Sequence, residues 1–186
     1  MKHRTHPSVM ASIVARALFS LLSALLALSG CGSSVPTDMS GAEREIREKF
    51  PGVKQLSTED LAAWQAAARR PPPVLVDVRT PEEYRVSHLA GAKNAPLGTK
   101  LEEALSGTPK DAPVVAYCSV GYRSSQFAQE AQKAGWTNVV NLEGSIFAWA
   151  NEGRPLVDDR GPATKVHPFD AQWGKLLKPE LRSALK

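Results

Sequence analysis

Residues 114–125 read VVAYCSVGYRSS, and the fold turns on how that stretch divides. Residues 114–117 are a short run of β-branched and aromatic residues, the pattern of a buried strand. Cys118 stands where the run ends. Residues 119–123 predict a tight loop, and a helical period begins at Ser124, with Phe127, Ala128, Ala131 and Ala134 on one side. Strand, loop and helix together put Cys118 at the mouth of a helix N-terminus. Backbone N–H groups lack partners there, and the helix dipole favours negative charge. Both effects favour a thiolate. Gly121 allows positive φ, so successive N–H groups can converge as an anion nest. Arg123 adds a permanent positive charge at the edge. A cysteine at a strand end is more ordinarily a small buried hydrophobe; the loop composition and the flanking chain weigh against that reading here.

Working outward, strands alternate with helices at short intervals. Residues 42–50 are helix-prone and stop at Pro51-Gly52. A short strand is expected within 53–56. Ser57 is a good N-cap for a helix to about residue 68, with Leu61 and Trp64 facing inward. Residues 74–78 form a strong buried strand, followed by a capping box in which Thr80 is the cap, Pro81 opens the helix and Glu83 sits at the third position. A turn and short extended segment follow at 91–96, then a short helix near 101–105. Beyond the central stretch, residues 138–142 predict a strand and 145–152 a helix with Ile146 and Trp149 inward. This alternation predicts an α/β sandwich: a mainly parallel central sheet flanked by helices. The tail from residue 158 is broken by Pro162, Pro168 and Pro179. Phe169, Trp173, Leu176 and Leu177 are expected to share one helical face and pack back on the domain.

The first thirty residues stand apart. Lys2, Arg4 and Arg16 precede or flank an apolar run at 17–28 that is too short to span a membrane. The run ends in Leu-Ser-Gly-Cys at 28–31, which resembles a bacterial lipobox. That resemblance implies cleavage before Cys31, a lipid on Cys31, and a location in the cell envelope facing the periplasm. By resemblance to enterobacterial lipoproteins, Gly32 in place of an aspartate implies the outer membrane. The expected organisation is a signal peptide at 1–30, a tether and short helix at 31–52, a domain at 53–157 and an extension at 158–186. The signal segment holds three basic residues and no acid, so the rest of the +4 chain carries only +1. Nothing there argues for a nucleic-acid partner. If Cys31 is lipidated, Cys118 has no disulfide partner within the chain, and a lone thiol in an oxidising compartment invites a chemical role.

With these residues in hand, the chain resembles the rhodanese-homology family of single-domain sulfurtransferases over residues 57–155. The segments that carry the likeness are DVRTPEEYRVSHLAGAKNAP at 77–96, CSVGYR at 118–123 and AGWTNVVNLEGSIFAWANEGRP at 134–155. Two positions depart from the family pattern, Ser87 before His88 and Ser145 after Gly144, where glycine is common. The resemblance implies that Cys118 takes a sulfane sulfur from a donor, holds it as a persulfide and passes it to a thiophilic acceptor. The N–H groups of Ser119, Val120, Gly121, Tyr122 and Arg123 would hold the anion. Arg123 either attracts an anionic donor such as thiosulfate or sits in a structural ion pair. Asp77 and Arg79 are expected to form a salt bridge. His88 is not needed as a base once the thiol is ionised. No metal-ligand spacing and no dinucleotide or phosphate loop is present, so no cofactor is expected. Two other readings stay open: a phosphatase or arsenate reductase on the same fold, and a non-catalytic binding module. Four residues separate Cys118 from Arg123, one fewer than in the related phosphatases, and Tyr122 is expected to crowd the pocket further.

Overall fold

Residues 36–185 are described in the computed structural model; residues 1–35, with the signal segment, Cys31 and most of the tether, lie outside that range. Five parallel strands form one sheet: β1 (Gln55–Leu56), β2 (Val74–Asp77), β3 (Lys93–Asn94), β4 (Val114–Tyr117) and β5 (Val139–Leu142). Their spatial order is β1-β5-β4-β2-β3. The central strand β4 pairs with β2 in the register Val114–Val74 to Tyr117–Asp77, and with β5 from Val114–Val139 onward. All four β4 residues are buried, as expected of a parallel strand covered on both faces.

The helices are α1 (Met39–Lys49), α2 (Thr58–Ala66), α3 (Pro81–Val86), α4 (Leu101–Ala104), α5 (Tyr122–Lys133) and α6 (Ser145–Asn151). Chain connections leaving β2 and β4 run in opposite directions, to β3 on one side and to β5 on the other. In open α/β sheets the crevice at such a point, at the carboxyl ends of the strands, is where ligands bind. Cys118 follows the last residue of β4 and lies at this crevice.

Several expectations need correction. The segment assigned with the tether is part of the domain: α1 starts at Met39, capped by Asp38, and buries Ala42, Ile46 and Phe50 in the common core. The break after residue 52 therefore does not separate two structural units. Trp64 is only half-buried; its indole N–H donates to the Pro71 carbonyl and Arg70 covers its face. Helix α5 begins two residues earlier than its apolar period indicates, because the half-buried Tyr122 and Arg123 of its first turn stand off the apolar stripe, and Ala134 is an exposed C-cap. The tail forms no continuous helix. It contains a hairpin, β6 (Leu156–Asp158) with β7 (Gly161–Ala163), and two 3₁₀ turns, Trp173–Leu176 and Pro179–Leu181. Leu176 and Leu177 are buried, but Phe169 is 43% exposed and does not share a face with them.

Candidate active site

Strand β4 brings Cys118 to the crevice with its thiol buried, 1% exposed. Gly121 caps α5 with φ +120, which a side chain resists. A Cβ there would also lie 3.0 Å from the Asn141 amide nitrogen and 3.4 Å from Ile46 of α1. Glycine thus serves twice, for the turn and for the close cover by β5 and α1. The Gly121 N–H donates to Cys118 Sγ at 3.2 Å. Ser125 is the first residue of α5 to bond back along the helix, to the Gly121 carbonyl. The N–H groups of residues 121–124 are therefore those that a helix start leaves without helical partners.

Burial raises the Cys118 pKa; the Arg123 charge and donation from Ser124 and Gly121 outweigh it, and the thiol sits below its ordinary value. The Ser124 hydroxyl proton is committed to Asn141 Oδ1 at 2.6 Å, so the Ser124 backbone N–H is the donor that matters. Asn141 in turn donates to Gln55 Oε1 at 2.6 Å, which ties the loop to β5 and β1.

The loop carbonyls are held away from the sulfur. Two N–H groups in the first turn of α6 take them: Ile146 donates to the Cys118 carbonyl at 3.2 Å and Phe147 to that of Ser119 at 3.1 Å. Ser145, at φ +51, accepts the Cys118 N–H at 3.2 Å through its hydroxyl and donates to the Leu142 carbonyl at 3.0 Å. This is the serine that stands where the family pattern has glycine, and its hydroxyl fastens the cysteine backbone to the end of β5.

Arg123 is paired. Its two terminal nitrogens each lie 2.8 Å from a Glu83 carboxylate oxygen, and Nη2 also donates to Ser119 Oγ at 3.0 Å. Ser119 Oγ donates to Glu83 Oε1 at 3.1 Å. Desolvation pushes the Glu83 carboxyl up, but the Arg123 guanidinium overrides it and holds the group at about 2. Glu83 also completes the capping box of α3 by accepting the Thr80 N–H. One carboxylate thus starts a helix and bridges the crevice between α3 and α5. The bidentate form favours the structural alternative for Arg123, with its charge still felt at the thiol.

The remaining expected residues divide clearly. Asp77 and Arg79 form an ion pair, both 0% exposed, with Arg79 Nη2 also donating to the Ser87 carbonyl at 2.6 Å. His88 is buried, stacked on Tyr84 with ring centres 3.7 Å apart. The Val120 side chain lies in the core. The Tyr122 ring, expected to crowd the pocket, packs instead edge-on against Phe50, 5.3 Å away, and under Lys49 of α1. Glu83, Ser124, Asn141 and Ser145 were not identified from sequence as site residues. Only Ser145 left a signal there, as a departure from the pattern beside a glycine; the other three act through contacts between distant segments.

A model of the rhodanese-like domain matches residues 57–152. The chain belongs to the rhodanese-like family. Among its rhodanese-like relatives, a protein named sulfurtransferase from Allochromatium vinosum is 36% identical over 109 residues, which are 59% of this chain and 99% of that one. The probable adenylyltransferase/sulfurtransferase MoeZ of Mycobacterium tuberculosis is 34% identical over 101 residues, 54% of this chain, and the match spans only a quarter (25%) of that longer protein. The crystal structure of a rhodanese-like domain protein from Staphylococcus aureus superimposes with a TM-score of 0.50 at 29% identity, covering 57% of this chain and 99% of that one. The rhodanese-like region therefore includes Cys118, Glu83 and Arg123, while α1 and the tail lie outside the matched residues.

Proposed function

We propose that this protein is a sulfurtransferase that carries sulfane sulfur as a persulfide on Cys118. The observation that carries the reading is a buried thiol, held below its ordinary pKa, with the Gly121 N–H aimed at its sulfur from 3.2 Å. The sulfurtransferase name of the Allochromatium vinosum relative supports it. With thiosulfate as donor, the Cys118 thiolate attacks the outer sulfur. The sulfur–sulfur bond breaks, sulfite leaves with the bonding electrons, and the persulfide keeps one negative charge. An acceptor thiolate or cyanide then attacks the terminal sulfur and returns the Cys118 thiolate. No proton need move at the cysteine, so the site needs charge stabilisation rather than a base. The six-residue loop supplies N–H groups around one added sulfur atom; a tetrahedral oxyanion needs a wider ring.

The test is a mass spectrum of the purified protein after incubation with thiosulfate, expected to show one added sulfur on Cys118 and none in Cys118→Ser. An aryl phosphate assayed on the same preparation is expected to remain intact. Phosphate release without persulfide formation would replace this reading with the phosphatase one. The lipobox-like residues 28–31 support a further part of the proposal, anchorage through a lipid on Cys31 at the periplasmic face of the envelope, probed by the mass of the mature N-terminus.

A further inference from the structure

The tail brings one side chain to the catalytic mouth. Residues 164–185 are tied to one another and, through Asn151, to α6. Val166 is buried and bridges Arg182. The Asn151 side chain of α6 donates to the Leu176 carbonyl at 2.8 Å and accepts the Lys178 N–H at 2.9 Å. The Arg182 guanidinium donates to the Leu177 carbonyl at 2.7 Å.

On this strap, residues 168–170 make a three-residue turn closed by the Asp170 N–H to the Pro168 carbonyl at 2.8 Å. Its central residue, Phe169, has φ +67. Such turns are rare and strained for a residue with a Cβ. The surroundings hold this one in place. The Phe169 N–H donates to His167 Nδ1 at 3.1 Å, and Asp170 Oδ1 caps Gln172 and Trp173 at 2.8 and 2.7 Å. Pro168 packs directly on Gly174, where a Cβ would come within 2.7 Å of the proline ring. The turn presents a phenyl ring over the Arg123 guanidinium, 5.0 Å from its centre. Phe169 is the one aromatic among the large apolar side chains exposed in the described residues, and it stands beside the charge that acts on Cys118. Strain of this kind persists where surrounding contacts fix it, and here they fix it with the ring over Arg123.

We propose that Phe169 is a specificity-determining wall of the sulfur-transfer site, favouring sulfane-sulfur donors with an aromatic body over small hydrated ones. This rests on the sulfurtransferase reading above. In an aryl thiosulfonate the Cys118 thiolate attacks the terminal sulfur, the sulfur–sulfur bond breaks, and the aryl sulfinate leaves with the bonding electrons. The aryl group then lies against Phe169 while the anionic end faces Arg123 and the N–H groups of α5.

Benzenethiosulfonate and methanethiosulfonate test this, because they share the reacting atoms and charge and differ only in the body. The readout is the ratio of kcat/KM for the phenyl over the methyl donor, with the persulfide on Cys118 followed by mass. The ratio is expected to fall about 3- to 10-fold in Phe169→Ala, the range of one aromatic pair, and to stay within about twofold in Phe169→Tyr. Phe169→Gly, which also removes the ring but relieves the backbone, is expected to fall with Phe169→Ala, so a folding defect in one does not decide the outcome. An unchanged ratio in the ringless variants overturns the proposal, as does a loss of the ratio in Phe169→Tyr. Absence of any persulfide in the wild-type protein with either donor overturns the underlying reading instead, and the mass measurement separates the two failures.

Discussion

Glu83 holds in place the charge that Cys118 depends on. Its carboxyl titrates at about 2 rather than at the ordinary 4.5, so the native state releases that proton more readily than the unfolded chain does. The resulting stabilisation is complete above the unfolded value and is lost as pH falls from about 4.5 to about 2. Denaturant midpoints measured at pH 7, 4 and 2.5 should fall with acid in the wild type, and less steeply in Glu83→Gln. Removing the other partner is worse. Arg123→Ala leaves a buried carboxylate unpaired and is expected to cost about 3 kcal/mol, visible as a lower Tm. It also removes the main group lowering the Cys118 pKa, so the pH–rate curve for persulfide formation should move to the alkaline side. Ser145 offers a separate handle. In Ser145→Ala the Cys118 N–H loses its acceptor while the positive φ remains, and a loss of about 1 to 3 kcal/mol is expected. Equal stability of the serine and alanine forms would show that the hydroxyl does not hold the cysteine backbone.

Among the elements, what was legible in the sequence followed local rules. The apolar run of β4, the glycine turn after Cys118, the Ser57 cap and the capping box at residues 80–83 each depend on neighbours a few positions away, and the structure has all of them. What stayed hidden depends on segments that meet only in the fold. Glu83 reads as a cap and nothing more until α3 is seen beside α5. The burial of α1 depends on Ile46 reaching Gly121, 75 positions along the chain. The tail misled because a helical spacing of apolar residues does not produce an α-helix when its first residue, Phe169, is held at positive φ and the Asp170 side chain offers the backbone a turn instead. The turn at Phe169 yields a prediction at this scale. Phe169→Gly and Phe169→Ala lose the same ring contacts, so their difference isolates the backbone strain. The glycine form should be the more stable by about 1 kcal/mol in a denaturant titration.

For the molecule as a whole, the rhodanese-like core is enclosed by two segments outside the matched residues. Helix α1 packs on the loop after Cys118 through Ile46 and Phe50, and the tail adds Val166, Leu176 and Leu177 to the core. Ending the chain after residue 163 would expose the sites of three buried aliphatic side chains. It is expected to reduce stability by roughly 5 to 9 kcal/mol, taking about 1.5 to 3 for each. Thermal unfolding of the truncated chain measures this.

The two carbonyls that α6 draws away from the sulfur have a consequence in time as well as in space. With the Cys118 amide on Ser145, its carbonyl on Ile146 and the next carbonyl on Phe147, the backbone at Cys118 is held on both sides. The amide protons of Ile146 and Phe147 should then exchange with deuterated solvent only when the whole molecule opens, and at the same rate with or without sulfur on Cys118.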